Sequence, residues 1–426
     1  MKVKKRIFFD IHSWIGVKLS ILFFIVCFSG TLATLSHEMD WLFNPDIRAT
    51  SQEQFASRNL IMQNFQSAFP NGRMTFWMRT EEPYLCDILY KEENGKRSYV
   101  FANPYTGEIQ GEAFLTFQRF FRDLHYFLFI PFQIGHFTVL LFAFLLFTSL
   151  ITALVFYKKW WKKLFQLQVG KGSLFFFRSL HRLVGLWSIP FTLLFSITGI
   201  WYFLERANIA EVATRSNPPV PKIQLNGALV ATYNTNTIDY DRVAALAEEA
   251  IPSLKAGDIV PSRGESGPIY ITGHSNVPLV RQRANRVYIH PESYEVIDVQ
   301  KASDIPAVMY LNDIADPLHF GNWGGLPTKI LWFLFGLAIS SLVLSGIWIT
   351  AKKKALKRKK NKKKLMGSWY WMNWLIYSVM ILFMYYIIIE NYHASHTAII
   401  AVTAGWTSFI AMAYYLFVYK LKKAIS

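Results

Sequence analysis

Six apolar stretches constrain this chain more than any other feature. A bilayer crossing takes about 20 residues. Trp14–Leu35, Phe137–Tyr157, Leu183–Phe203, Ile330–Thr350, Asn373–Ile389 and Ala398–Tyr419 are each of that order. Composition agrees: 52% of the 426 residues are hydrophobic and 17% are charged, against roughly 25% charged in a soluble domain. Disorder, a collagen-like fold and a disulfide scaffold are excluded; two cysteines, Cys27 and Cys86, cannot staple a chain of this size. The first stretch is too long for the core of a signal peptide. Its end, Leu35-Ser-His-Glu-Met, offers no small-x-small cleavage site.

A net charge of +17 points to nucleic acid or to a membrane, and its placement decides. Lys2, Lys4, Lys5 and Arg6 precede the first stretch. Lys158, Lys159, Lys162, Lys163, Lys171, Arg178 and Arg182 lie between the second and third. A basic run fills Lys352–Lys364, and Lys420, Lys422 and Lys423 close the chain. These 24 cations share one side with a single acid, Asp10. By the positive-inside rule both termini are cytoplasmic and six spans alternate without conflict. The excess is topology and contact with lipid headgroups, with no nucleic-acid partner.

Two segments outside the spans are large enough to fold. In the first, Gln52–Phe69 has helical periodicity and Arg73–Thr80, Tyr84–Lys91 and Ser98–Ala102 read as strands. The turn Asn103-Pro-Tyr-Thr-Gly-Glu follows. In the second, Asp241–Leu254 reads as a helix, and Pro268–His274 and Val277–Arg283 as strands. Aligning Pro291 with Pro104 puts Tyr294 where Gly107 stands, so the second turn is expected to differ. The spans repeat too. An offset of 169 sets His181-Arg-Leu-Val-Gly on His12-Ser-Trp-Ile-Gly, and an offset of 194 sets Leu318-His319 on Leu124-His125. The chain is a duplication, with the last two spans added outside the repeat.

The expected fold class is a membrane α-helical bundle of six transmembrane helices with two small α+β domains on the outer side. The spans fall in 1–37, 125–160, 183–204, 317–351, 369–390 and 397–420; the outer domains in 38–124 and 205–316; the basic loops in 161–182 and 352–368.

The histidines suggest redox chemistry. Imidazole is a good axial ligand for haem iron, and ionisable groups at membrane depth are functional candidates. His12 and His181 sit at the cytoplasmic ends of outward helices, and His125 and His319 at the outer ends of inward helices. One pair per face, with one ligand from each half, suits two bis-histidine haems. Gly16 and Gly30 follow His12 by four and eighteen residues, as Gly185 and Gly199 follow His181. Eighteen residues is about five turns, so Gly30 and Gly199 face as the histidines do and leave room for a flat macrocycle or for close helix packing. His37 and His136 also lie near the outer face. Arg182 is placed to pair with a propionate.

The duplicated unit, with Asn103–Glu108 and Leu-His before each return helix, resembles the PepSY-associated transmembrane (PepSY-TM) family over about residues 1–352. His136 and Tyr294 depart from its pattern. The resemblance implies PepSY-like periplasmic domains, a bacterial inner-membrane location, and kinship with haem-containing ferric-siderophore reductases of iron uptake. The expected function is electron transfer across the membrane through two haem b groups, reducing a ferric siderophore or other ferric chelate and releasing iron. No nicotinamide or flavin motif is visible, since Gly170-Lys-Gly-Ser is too short a match to a dinucleotide fingerprint and lacks a preceding strand. The donor is therefore external, a quinol or a cytoplasmic reductase. Two alternatives stand beside it: a membrane-anchored peptide-binding or regulatory protein, and an accessory subunit of an iron-siderophore transporter.

Overall fold

The computed structural model describes residues 2–223, 237–261, 267–356 and 366–419. Most of the basic run at Lys352–Lys364, and the terminal Lys420, Lys422 and Lys423, lie outside them. The elements run α1 (Lys2–Lys18), α2 (Ser20–Thr34), α3 (Ser36–Phe43), α4 (Arg58–Ala68), β1 (Arg73–Met78), β2 (Asp87–Glu93), β3 (Lys96–Ala102), β4 (Ile109–Ala113), α5 (Phe117–Phe127), α6 (Phe132–Phe156), α7 (Ser173–Trp187), α8 (Ile189–Arg206) and α9 (Val212–Ser216). There follow α10 (Tyr240–Ala250), β5 (Lys255–Val260), β6 (Ile269–His274), β7 (Arg286–Ile289), β8 (Val296–Gln300), α11 (Ala307–Phe320), α12 (Gly325–Leu356), α13 (Trp369–Tyr386) and α14 (His396–Tyr414). They form a helical unit (Met1–Ser36, Gln118–Phe203, Leu326–Ser426) and an α+β unit (His37–Phe117, Leu204–Gly325).

In the helical unit α6, α12, α13 and α14 are each long and apolar enough to cross a membrane. The other two expected spans are broken. α1 and α2 meet at a 74° bend, and α7 and α8 at 60°; there are six spans only if each bent pair counts as one. The breaks fall at Leu19 and Ser188, one repeat apart, both in the bridge region of backbone space (φ −102°, ψ 11° and φ −82°, ψ −1°). In the second half Pro190 has no N–H to offer the carbonyl one turn back. In the first half Ser20 turns its hydroxyl onto Val17 O at 3.1 Å. Hydropathy continues through both breaks, so the sequence pattern does not reveal them.

The α+β unit carries one antiparallel sheet, in the order β4-β3-β2-β1-β5-β6-β7-β8. The sequence reading separated two outer domains, whereas their strands share this sheet. Strand β5, which the sequence reading missed, makes the junction: Trp77 pairs with Ile259, and the two residues are equivalent under an offset of 182. Helices α4 and α10 obey the same offset and cover one face over Ile61, Phe65, Trp77, Leu89, Tyr240, Val243 and Ile271. Their N-termini cap one another. Asn59 Oδ1 accepts from Tyr240 N at 2.7 Å, and its repeat mate Asp241 accepts from Arg58 N at 2.7 Å through Oδ1. Val277–Arg283, expected as a strand, is instead a turn with Leu279 at φ 65° and a single 3-10 turn at Gln282–Ala284.

The second hairpin turn does not differ from the first. Asn103 N donates to Glu108 O and Gly107 N to Asn103 O; His290 N donates to Glu295 O and Tyr294 N to His290 O, all at 2.8–2.9 Å. Tyr294 adopts the left-handed conformation (φ 60°) as Gly107 does (φ 78°). That costs a tyrosine about 1 kcal/mol. Its hydroxyl accepts from Asp239 N at 2.8 Å, and Arg242 lies 4.3 Å over its ring, which offsets the strain.

At the sheet junction the Asp258 carboxylate accepts from Arg79 N at 3.0 Å. Desolvation pushes its pKa up to about 7, opposed by that bond and aided by the Glu81 and Asp87 charges. A carboxyl raised in the folded state contributes stability that is complete below its unfolded pKa of about 4 and is lost as pH rises through about 7. Thermal melts of the purified protein at stepped pH are expected to show falling stability across that window, and Asp258→Asn to flatten the slope. An unchanged slope in Asp258→Asn would assign the dependence elsewhere.

Candidate histidine site

His12 on α1 and His181 on α7 face one another in the helical unit, ring centroids 6.4 Å apart and planes turned by 84°. Each is held from its other side by a serine of the return helix in its own half. His12 Nδ1 lies 3.0 Å from the carbonyl oxygen of Ser149 on α6. A carbonyl can only accept, so Nδ1 carries the proton. His181 Nδ1 lies 2.8 Å from Ser345 Oγ on α12, and that hydroxyl donates to Leu342 O at 3.2 Å. The hydroxyl has one proton for two acceptors, and Nδ1 is the donor in the tautomer in which that proton goes to Leu342 O. With Nδ1 as the donor, each ring leaves Nε2 as a lone pair. This is the tautomer a metal-ligating histidine takes, fixed by a partner on its second nitrogen. Ser149 and Ser345 were not singled out from sequence, although they stand in equivalent stretches of the two return helices.

The spacing also fits. Metal–imidazole bonds of about 2.0–2.1 Å, with each ring centre about 1.1 Å further out, put the centroids of two axial imidazoles about 6.3 Å apart. Gly16, four residues after His12, faces open space, and Gly185 meets nothing nearer than Leu342 at 3.9 Å. A flat group has room beside both helices. Gly346 lies at the same place, where an added Cβ would come 3.6 Å from His181 Cε1. Arg182, in contrast, donates to Gln166 O at 2.6 Å and lies over Tyr157.

His125 occupies a notch in α2. Its Nδ1 donates to Val26 O at 2.9 Å, and a Cβ on Gly30 would stand 2.7 Å from His125 Cε1. The glycine therefore exists for this ring. Its repeat mate Gly199 serves helix packing instead: an added Cβ there would stand 2.6 Å from Ala143 Cβ. Gly30→Ala is expected to push His125 out of its notch and to cost about 1–3 kcal/mol by overpacking. A thermal melt unchanged from wild type would show that α2 and α5 separate freely.

His136 is buried on α6. Its Nδ1 donates to Tyr126 O at 3.0 Å, and its ring stacks on Phe132 at 5.4 Å. His319 ends α11, with Gly321 in the left-handed conformation just beyond it. It belongs to the α+β unit, as does His37, while His125 and His136 belong to the helical unit. Among the described residues no cluster of three or more histidine, cysteine, aspartate or glutamate side chains could hold a bare metal ion. A metal carried in a macrocycle needs only two axial ligands.

Residues 9–353 match the model of one protein family, described as the PepSY-associated TM region. No curated protein matches the chain.

Proposed function

The chain belongs to the PepSY-associated TM family and is a multi-pass membrane protein, and on that footing we propose that it carries electrons across the bacterial inner membrane to a ferric siderophore or other ferric chelate. Its termini lie in the cytoplasm in this reading. The facing pair of His12 and His181, each with Nδ1 bonded to a serine of a return helix, is the observation that carries it. These two residues would hold the inner haem b; His125 and His319, matched by the sequence repeat, are the proposed ligands of the outer one, with His136 and His37 as further candidates. Bound haem supplies reversible one-electron chemistry between donor and acceptor. The polypeptide's part is to fix the imidazoles, to keep both centres within the membrane and to present the α+β unit to the chelate. A quinol or a cytoplasmic reductase donates. Reduction releases the metal, because hard oxygen ligands hold ferric iron far better than ferrous.

An absorption spectrum of the purified protein tests the reading. Sharp low-spin α-bands on reduction, with about two haems per chain, support it. A colourless protein removes it and leaves the α+β unit as a peptide-binding or regulatory module on a membrane anchor.

A further inference from the structure

Helices α13 and α14 lie outside the duplicated unit and beyond the family match, yet they pack on the first half: Phe409 stacks on Phe24 of α2 at 5.6 Å, and polar contacts are made near both ends of α13. At the start of α13, Asn373 Nδ2 donates to Lys18 O at 2.7 Å. That carbonyl belongs to the last turn of α1, left over by the bend into α2. Lys18 Nζ returns a bond to Met366 O at 2.7 Å, and Trp14 meets Trp369 edge to face at 5.4 Å. Past the far end of α13 and a π-helical turn at Ile387–Asn391, Tyr392 reaches α5. Its hydroxyl donates to Asp123 Oδ2 at 2.6 Å, and the Arg119 guanidinium lies 3.5 Å over its ring.

Arg119 and Asp123 are four residues apart and share one face of α5. His125, two residues on, projects from the other side into the α2 notch at Val26 and Gly30. Tyr392 thus presses the helix from one flank while the histidine is seated on the opposite flank. Asp123 is 4% exposed, so its bond to Tyr392 works in a poorly solvated setting, where a hydrogen bond to a carboxylate is strong. The repeat mates of Arg119 and Asp123 on α11 are Asp313 and Pro317. The second half cannot form this contact.

We infer that the C-terminal helix pair is a brace for the first half's histidines, with Tyr392 as a positioning residue for His125 and Asn373 for the bend after His12. The assignment of His125 to a haem rests on the proposed function; the brace itself does not.

The test uses full-length protein in detergent or nanodiscs, with Tyr392→Phe as the main variant. Phenylalanine keeps the ring under Arg119 and removes only the hydroxyl. Backbone amide exchange in α5 is expected to speed up roughly tenfold, the fold-change that loss of one hydrogen bond to a charged group implies, with α6 unchanged. The outer haem's low-spin electron paramagnetic resonance signal is expected to shift or broaden at full haem content. Asn373→Ala is expected to speed exchange around Leu19 and to leave α5 alone. Unaltered α5 exchange together with an unaltered resonance signal in Tyr392→Phe overturns the brace. In a wild-type protein without haem, the proposed function falls while α5 exchange still decides the brace.

Discussion

Replacing His12 or His181 by alanine is expected to lower bound haem from about two per chain to about one, because an axial site loses half its ligation. Reduction of an external ferric siderophore, driven from inside a cell or vesicle, should fall on the order of 100-fold or more, since losing even a supporting partner of a ligand costs 10–100-fold. The hydrocarbon core is about 30 Å thick, too far for one useful tunnelling step, so on the proposed function the inner centre would be an obligatory relay. A small artificial reductant should still reduce the remaining outer haem. Binding of the chelate should persist, as the α+β unit is untouched. Serine-to-alanine changes at Ser345, which remove only the Nδ1 partner of His181, should lie between wild type and these variants. Normal inside-driven reduction in a variant shown to lack the inner haem would move electron entry to the outer face.

The second large effect concerns α11, the helix that ends in His319. Pro317 lies inside it and leaves the carbonyl of Asp313 without its helical donor. Arg281 N fills that vacancy at 3.2 Å. The Asp313 side chain, fully buried, accepts from Arg281 Nε at 2.9 Å and from Arg283 Nε at 2.6 Å. Asp313→Ala would leave Arg281 with Asp316 as its remaining carboxylate partner, at 2.5 Å, and Arg283 with none of the ion pairs it now makes. Breaking a buried pair in this way costs about 3–5 kcal/mol. A correspondingly large drop in the melting temperature of the α+β unit is expected, with Asp313→Asn milder because it keeps one acceptor oxygen. A melt within a degree or two of wild type for Asp313→Ala would mean that α11 is held by its apolar contacts instead.

Much of the architecture is legible in the sequence because hydropathy and helical period depend on local composition. The stretches at Phe137–Tyr157 and Ile330–Thr350 coincide with α6 and α12. The bends do not show in hydropathy, since the stretches on either side of Lys18-Leu19-Ser20 are apolar; Pro190 in one half and Lys18 in the other are the only local irregularities at the breaks. Strand β5 was missed because Gly257 and Asp258 depress strand propensity, and its place is fixed by pairing with β1, a tertiary fact. Tyr294 misled in the other direction: a glycine was expected where φ is positive, but a ring anchored by Asp239 N and Arg242 tolerates it. The pairing of His12 with His181 was readable from the repeat offset. Their serine partners follow only from how α1 packs on α6 and α7 on α12. Tyr392 could not be found from the repeat at all, because nothing in the duplicated unit corresponds to it.

The shared sheet also sets an order of assembly. Strand β1 finds its second neighbour only in β5, 182 residues later, with α6, α7 and α8 made in between. During synthesis the first α+β half must therefore wait with an open strand edge, the kind of surface that pairs promiscuously. Its partner arrives only after the apolar helix α6 and the bent pair α7 and α8 have been made. Contacts of such long sequence separation form slowly. Completion of the sheet is thus a late step: a chain whose second half fails to fold cannot close it, and the edge of β1 stays open to pairing with other chains.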